Sequence, residues 1–275
     1  MTEQSAPALQ ECLARVTDEF GADILIYIGL TYPPDDETII RECRARKPRR
    51  RNVLLLLTTI GGSADAAYRI ARCLQRAYNT YDPDPEKRGR FLLYVHRLCK
   101  SAGTILALGA DTLILSQSAE LGPIDVQLRK EDEVGERTSG LTPHQALETL
   151  QIQSGQHFRR FFRQMRFDPS LQFSTKMAAE LAAKMTIGLM EPVYAQLDPI
   201  RVGEVERSVR ISSEYGNRLR TPNVKEDTVA RLAGGYPSHD FVIDRREARE
   251  LFEDVPFPRT ISKRSQPTMP NVRLR

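Results

Sequence analysis

Residues 53–57 read Val-Leu-Leu-Leu-Leu and run through Thr58-Thr59-Ile60 into Gly61-Gly62-Ser63. A strand with one wet face alternates apolar and polar side chains. A strand with no polar position is covered on both faces, as in a parallel sheet. Residues 64–78, rich in alanine, follow as a helix, so the unit is strand, paired glycines, helix. The pattern recurs. Residues 24–30 form a short β-branched strand, and residues 91–97 form another that ends at Cys99-Lys100-Ser101. A helix over 102–109 and a strand over 112–115 come next. Strands alternating with helices predict an α/β fold with a mostly parallel sheet.

The flanking segments differ in character. Leu9, Leu13, Val16 and Phe20 lie at helical spacing and predict an N-terminal helix over 1–20. Pro33-Pro34-Asp35-Asp36 stops the first strand, and residues 79–90, with Pro83 and Pro85, form a loop. Beyond residue 125 the pattern turns helical, over 143–165, 174–197, 200–218 and 223–234, before a short strand at 241–243 and a helix over 245–253. Those helices hold Phe158, Phe161, Phe162, Met165, Phe167, Leu189 and Tyr194, more apolar surface than a single outer layer needs. The expected organisation is an N-terminal helix (1–20), one domain over 21–255 whose 143–234 portion is a helical C-terminal layer, and a disordered tail over 256–275.

Charge and cysteine content narrow the function classes. Forty Lys and Arg against 36 Asp and Glu give a net charge of +4, too mild to announce a nucleic-acid binder. The charge is unevenly spread, with seven basic residues against Glu42 alone over 41–51 and five with no acid over 256–275. No aromatic residues interleave with the arginines of 41–51, so a solvated loop or subunit contact is favoured over nucleic acid there. The four cysteines show no Cys-x-x-Cys spacing and read as reduced thiols, and no metal or cofactor is expected. The first residues lack a basic region before an apolar stretch, and the longest aliphatic run falls far short of the ~20 residues of a membrane span. A cytoplasmic protein with no membrane span is the expectation.

Ligands of parallel sheets gather at the carboxyl ends of the strands. There this chain offers Gly61-Gly62 after one strand and Ser101-Ala102-Gly103 after another. A serine opening a helix sits at the positive end of its dipole beside free backbone N–H groups. Such a pair supplies a nucleophile and amides for an oxyanion, each typically contributing about 2.7–4 kcal/mol to the transition state. The plainer alternative is that Ser101 caps the helix and Gly61-Gly62 makes a turn. A phosphate cradle is disfavoured because the Lys-Ser/Thr of a P-loop is missing.

Residues 54–67, Leu-Leu-Leu-Leu-Thr-Thr-Ile-Gly-Gly-Ser-Ala-Asp-Ala-Ala, resemble the strand, glycine pair and helix of the ClpP/crotonase superfamily. Lys100-Ser101-Ala102-Gly103-Thr104 resembles the nucleophile turn of its peptidase branches. Residues 120–127 (Glu-Leu-Gly-Pro-Ile-Asp-Val-Gln), residues 191–203 and Gly235-Tyr-Pro-Ser-His-Asp-Phe-Val-Ile with Glu247-Ala248 are similar to the serine dehydrogenase proteinase family, relatives of signal peptide peptidase A. The resemblance spans about residues 20–255. It implies a repeated βαβ spiral, a hydrolase activity on peptide or protein substrates, and a homo-oligomer. By the same resemblance Ser101 is the nucleophile, and the amides of Gly62 and Ala102 form the oxyanion hole.

The base is less sharply marked. Asp125 falls about where the ClpP branch carries its histidine, and the third member of that branch falls near His239-Asp240. The signal peptide peptidase branch uses a lysine instead. Histidine is the side chain whose ordinary range suits a base near neutral pH, which favours His239. Lys130, Lys176 and Lys184 would need burial to act, and Asp125 or Asp240 could orient a base. The pairing expected is Ser101 with His239, oriented by Asp125 or Asp240. Two other readings stand beside the serine peptidase: an inactive scaffold of the same fold, and acyl-CoA chemistry using the same amides. A partner protein delivering substrate also fits.

Overall fold

The computed structural model describes residues 5–124, 127–129, 137–139 and 141–257. Most of the tail expected from 256 lies outside the described residues. The chain divides into two compact units. One comprises residues 1–124, 212–236 and 240–275, the other 125–211 and 237–239.

In the first unit, strands β1 (Ala22–Ile28), β2 (Asn52–Thr59), β3 (Phe91–Cys99) and β4 (Thr112–Leu115) lie in that order and are all parallel. The crossovers pass through α2 (Asp35–Ala45), α3 (Ala64–Ala77) and α4 (Ala102–Leu108). Right-handed crossovers with strands advancing in one direction put all three helices on one face, and α2 packs on α3 and α3 on α4. The opposite face carries Ala22, Leu54, Leu92 and Ile114, over which Val16 and Phe20 of α1 (Ser5–Phe20) pack. That two-sided cover explains the unbroken apolar run. Val53, Leu54, Leu55 and Leu57 are buried, each worth about 1.5–3 kcal/mol when fully withdrawn from water.

Helix α3 shows why an alanine-rich segment suits this place. Ala66, Ala67, Ile70, Ala71 and Leu74 are buried along one stripe, and the small residues let the helix approach the sheet closely. Ser63 caps it, its Oγ accepting from the Ala66 N–H at 3.3 Å. Gln75, fully buried, donates to the carbonyls of Gly109 and Leu219, tying α4 and the end of α7 (Pro199–Leu219) to α3.

Strand β3 is longer than its neighbours. Its first half pairs with β4, and its end pairs with the two-residue β5 (Glu120–Leu121) through Leu98–Glu120 and Cys99–Leu121. Between β2 and β3 the register shifts, so that Leu57 faces Val95 but Thr59 faces Cys99. Such irregularities re-aim a strand end, and this one bears Lys100 and Ser101.

The strand expected at 241–243 is a single antiparallel bridge, Leu121–Ile243. The helix expected from 223 begins only at α8 (Thr228–Gly234), because Val224 and Lys225 bond with the segment that ends α9 (Arg245–Leu251).

The arginine cluster lies at the amino end of the sheet, where most of it is occupied. Arg46 Nε donates to Asp23, Arg50 pairs with Asp18, Arg49 donates to the Cys43 carbonyl, and Arg51 donates to the Arg88 and Pro85 carbonyls. Asp23, buried on β1, also accepts from the Arg50 N–H and the Tyr78 hydroxyl. The cluster is largely a set of clamps.

In the second unit, α5 (Leu141–Phe167) packs on α6 (Thr175–Tyr194), with Ala178, Ala182 and Met190 buried. Ser154 and Tyr194 hydrogen-bond across the pair at 3.3 Å. Phe158, Phe167 and Leu189 remain exposed. The hairpin β6 (Gln127–Arg129) and β7 (Arg137–Ser139) and the first part of α7 complete it. Among the described residues, no helix is long and apolar enough to cross a membrane.

Candidate active site

Strand β3 does not run smoothly into α4. Ser101 holds φ 51° and ψ −114°, and the Gly103 N–H closes the turn on the Lys100 carbonyl at 2.8 Å. Positive φ at the first central residue is the geometry of a II′-type turn, normally a glycine position. A serine held there is strained, at a cost of about 1–3 kcal/mol. Its side chain makes no cap bond to α4, unlike Ser63 on α3. Capping therefore does not explain Ser101.

The second strand end closes on the same spot. A Cβ on Gly61 would fall 2.8 Å from Ser101 Cβ and 3.3 Å from its Oγ, so only a glycine admits the serine side chain there. Gly62 is pressed equally hard on its other side, where a Cβ would meet the Thr31 carbonyl oxygen at 2.3 Å. The Thr31–Gly62 bridge holds that contact through Thr31 N–H to Gly61 O and Ser63 N–H to Thr31 O. Beneath it, the buried Thr59 Oγ1 accepts from the Gly61 N–H at 3.1 Å. The N–H groups of Gly62 and Ala102 have no acceptor among the described residues, and neither has the Ser101 hydroxyl a partner.

Lys100, which sequence reasoning passes over as a base candidate, anchors this turn. Its side chain is 13% exposed and its Nζ lies 3.1 Å from a Glu120 carboxylate oxygen. The same ammonium donates to the carbonyls of Leu121 at 3.1 Å and Phe241 at 3.3 Å. A Cβ on Gly122 would strike its stem, so the lysine lies flat against residues 120–122. With three acceptors engaged it is a structural cation rather than a base for Ser101. Thr104 reinforces the strap, its buried Oγ1 lying within hydrogen-bond reach of the Gly122 carbonyl at 2.7 Å and the Cys99 carbonyl at 3.0 Å, with one proton to give to either. Two of Lys100's acceptors are backbone carbonyls, which leave no mark in a sequence. Cys99, fully buried, is no rival nucleophile, since burial pushes its thiol well up.

The remaining sequence candidates fall as follows. Asp125 and Lys130 lie outside the described residues. Lys176 and Lys184 are exposed on α6, His239 is buried, and all three belong to the second unit. Asp240 is exposed and belongs to the first unit. Among the described residues, no cluster of three or more His, Cys, Asp or Glu could hold a metal.

No family model matches the chain. An uncharacterized protein of Methanocaldococcus jannaschii, MJ0137, is 34% identical over 109 residues, which is 40% of this chain and 33% of that protein. The chain thus matches about a third of the length of that curated relative. A solved structure of a point mutant of the 1510-N membrane-bound stomatin-specific protease covers 59% of this chain and 69% of its own at 16% identity. Its TM-score is 0.34, a slight likeness that carries no argument about this chain.

Proposed function

We propose that this chain is a serine peptidase of the ClpP/crotonase superfamily, on the serine dehydrogenase proteinase branch, with Ser101 as nucleophile. The observation that carries the reading is the conformation of Ser101. It is held at positive φ at a strand-to-helix turn, without a capping bond, against Gly61 and beside amides that have no acceptor among the described residues. Strain of this kind is kept where function requires a side chain aimed out of a turn.

In this reading Ser101 Oγ attacks the scissile carbonyl carbon as its proton passes to a base. The carbonyl electron pair moves onto oxygen, where the Gly62 and Ala102 N–H groups hold it. Collapse expels the amine, which takes the proton, and water then releases the acyl group by the same steps. The base is assigned by experiment among the residues the sequence singles out. The pH–rate profile is measured for His239→Gln, Lys130→Met, Lys176→Met and Lys184→Met, with Asp125→Asn and Asp240→Asn reporting on orientation. The chain acts on peptides or proteins as a homo-oligomer in the cytoplasm, with substrate delivery by a partner an open role for its periphery.

A fluorophosphonate probe tests the nucleophile. Wild type takes one label on Ser101, and Ser101→Ala takes none. A folded, assembled preparation that stays unlabelled overturns the peptidase and favours a scaffold of the same fold. Tight calorimetric binding of an acyl-CoA, without labelling, would favour thioester chemistry at the same amides.

A further inference from the structure

The two edges of the parallel sheet differ. At β4 the Leu113 N–H donates to the Asp254 carbonyl, so a later segment of the chain closes that edge. At the other edge β1 pairs with β2 alone. The Gly21 carbonyl and the Gly29 N–H bond β2, and backbone groups alternate along a strand, so those of Ile24, Ile26 and Ile28 point away from the sheet. Among the described residues no other segment bonds to them. An apolar edge of this kind is a template for a further strand, and proteins usually blunt it with lysine, proline or a bulge. β1, Ala-Asp-Ile-Leu-Ile-Tyr-Ile in unbroken register with β2, has none of these, and Ile26 and Ile28 are 54% and 66% exposed.

The two faces beside that edge are unlike. Side chains alternate along β1, so Ile24, Ile26 and Ile28 share the face of Ala22, on which Val16 and Phe20 pack. Leu25 and Tyr27 turn the other way, with Leu55 and with Ile39 of α2, into an open cavity of about 230 Å³ whose lining also holds the exposed Asp35 and Glu42. Asp35 accepts from the Tyr27 hydroxyl at 3.2 Å, and Glu42 lies 3.6 Å from the exposed Arg41. A carboxylate has further lone pairs and an exposed ion pair is worth little, so both acids can take a second cation. A strand added here meets isoleucine on one face and carboxylates on the other. The segment that suits it alternates apolar and basic residues, and residues 272–275 read Val-Arg-Leu-Arg.

We propose that residues 271–275 of this chain add to the free edge of β1 as a short strand, with Val272 and Leu274 against Ile26 and Ile28, and Arg273 and Arg275 toward Asp35 and Glu42. The two acids, seven residues apart on α2, stand about 10.5 Å from one another along its axis. Alternate residues of a strand are about 6.6 Å apart, a difference that arginine side chains make up. Reach also allows it. The described residues end at Phe257, three past the Asp254 that closes β4. A strand beyond β1 lies four strand spacings, or about 19 Å, from β4, and residues 258–272 can span about 50 Å. A tether of this kind holds the segment at an effective concentration of order mM, so the chain's own segment outcompetes that of a second copy in dilute solution. The proposal stands apart from the peptidase reading of Ser101.

Hydrogen exchange of the full-length protein, read residue by residue by mass spectrometry, tests it. The Ile26 and Ile28 amides should be protected in wild type. Val272→Asp with Leu274→Asp leaves the sheet itself unaltered and should speed exchange at these two amides at least about 10-fold, while Leu25 and Tyr27, bonded to β2, keep their rates. Asp35→Asn with Glu42→Gln, or about 0.5 M sodium chloride, should speed the same two amides to a smaller degree. The wild-type protection should not depend on protein concentration. Equal rates at Ile26 and Ile28 in wild type and the tail variant, fast or slow, overturn the proposal, because the edge is then bare or covered by something else. Protection that grows with protein concentration assigns the edge to a second copy and overturns it as well. Indifference to both salt and the acid substitutions overturns the charge match on which the choice of segment rests.

Discussion

The strain assigned to Ser101 has a consequence that separates it from a capping serine without any activity assay. At φ 51° and ψ −114° a side chain costs about 1–3 kcal/mol that glycine would not incur. Ser101→Gly relieves that cost. Glycine also gives the unfolded chain more freedom, which offsets about 0.4–1 kcal/mol. Ser101 Oγ makes no cap bond to α4 and has no partner among the described residues, so the net expectation is a folded state more stable by about 1 kcal/mol. Ser101→Ala keeps the strain and loses no cap, so it should stay within about 0.5 kcal/mol of wild type. Ser63→Ala is the internal standard. Its Oγ does cap α3, and its loss should cost about 1 kcal/mol. The expected order of stability is Ser101→Gly, then wild type with Ser101→Ala, then Ser63→Ala. At roughly 2–4 °C per kcal/mol for a chain of this size, the extremes should differ by a resolvable margin in Tm. The chain has no tryptophan, so far-ultraviolet circular dichroism or calorimetry serves as the assay. If Ser101→Ala loses as much as Ser63→Ala, or Ser101→Gly proves the least stable of the set, the turn is not strained. Ser101 is then an ordinary helix start.

Two further outcomes follow from buried charges in the first unit. Lys100→Met removes the ammonium from the carbonyls of Leu121 and Phe241 and from Glu120, whose side chain is 35% exposed and can rehydrate; a loss of about 2–3 kcal/mol in urea unfolding is expected, and an unchanged midpoint would refute the strap. Asp111 accepts the Phe91 N–H at 2.8 Å, yet burial holds its carboxyl above the usual carboxylate range. The folded state therefore binds the proton more tightly than the unfolded one, and wild-type stability falls as pH rises from the unfolded value near ~4 through the raised folded one. Asp111→Asn lacks that dependence, so its stability relative to wild type should grow across that interval and level off above it; a gap that narrows with rising pH would contradict the sign.

What is legible in the chain, and what is not, divides along a physical line. Residues 53–57 announce a doubly covered strand because burial on both faces forbids polar side chains, and Ala66, Ala67 and Ala71 announce a helix lying close on a sheet. Patterns set by water are written in residue types. Ser101 is ambiguous for the opposite reason. A capping serine and a serine at a strained turn share the same letters and differ only in φ, and φ here follows from the turn closed by Gly103 on Lys100. The glycines carry part of the missing information: Gly61 is required by the Ser101 side chain, and Gly62 by the Thr31 backbone. Each would fit an ordinary turn if read alone. The arginines of 41–51 look like a free basic surface because Asp18, Asp23 and the acceptor carbonyls lie in other segments of the chain. Lys100 is hidden by the same cause. Sequence alone offers Lys130, Lys176 and Lys184, far along the chain from Ser101, as bases, while the adjacent Lys100 is engaged in holding the turn that carries Ser101. A residue whose partners are backbone atoms is assigned by topology alone, and the β3–β5 pairing that brings Glu120 and Leu121 beside the turn is what gives Lys100 its place.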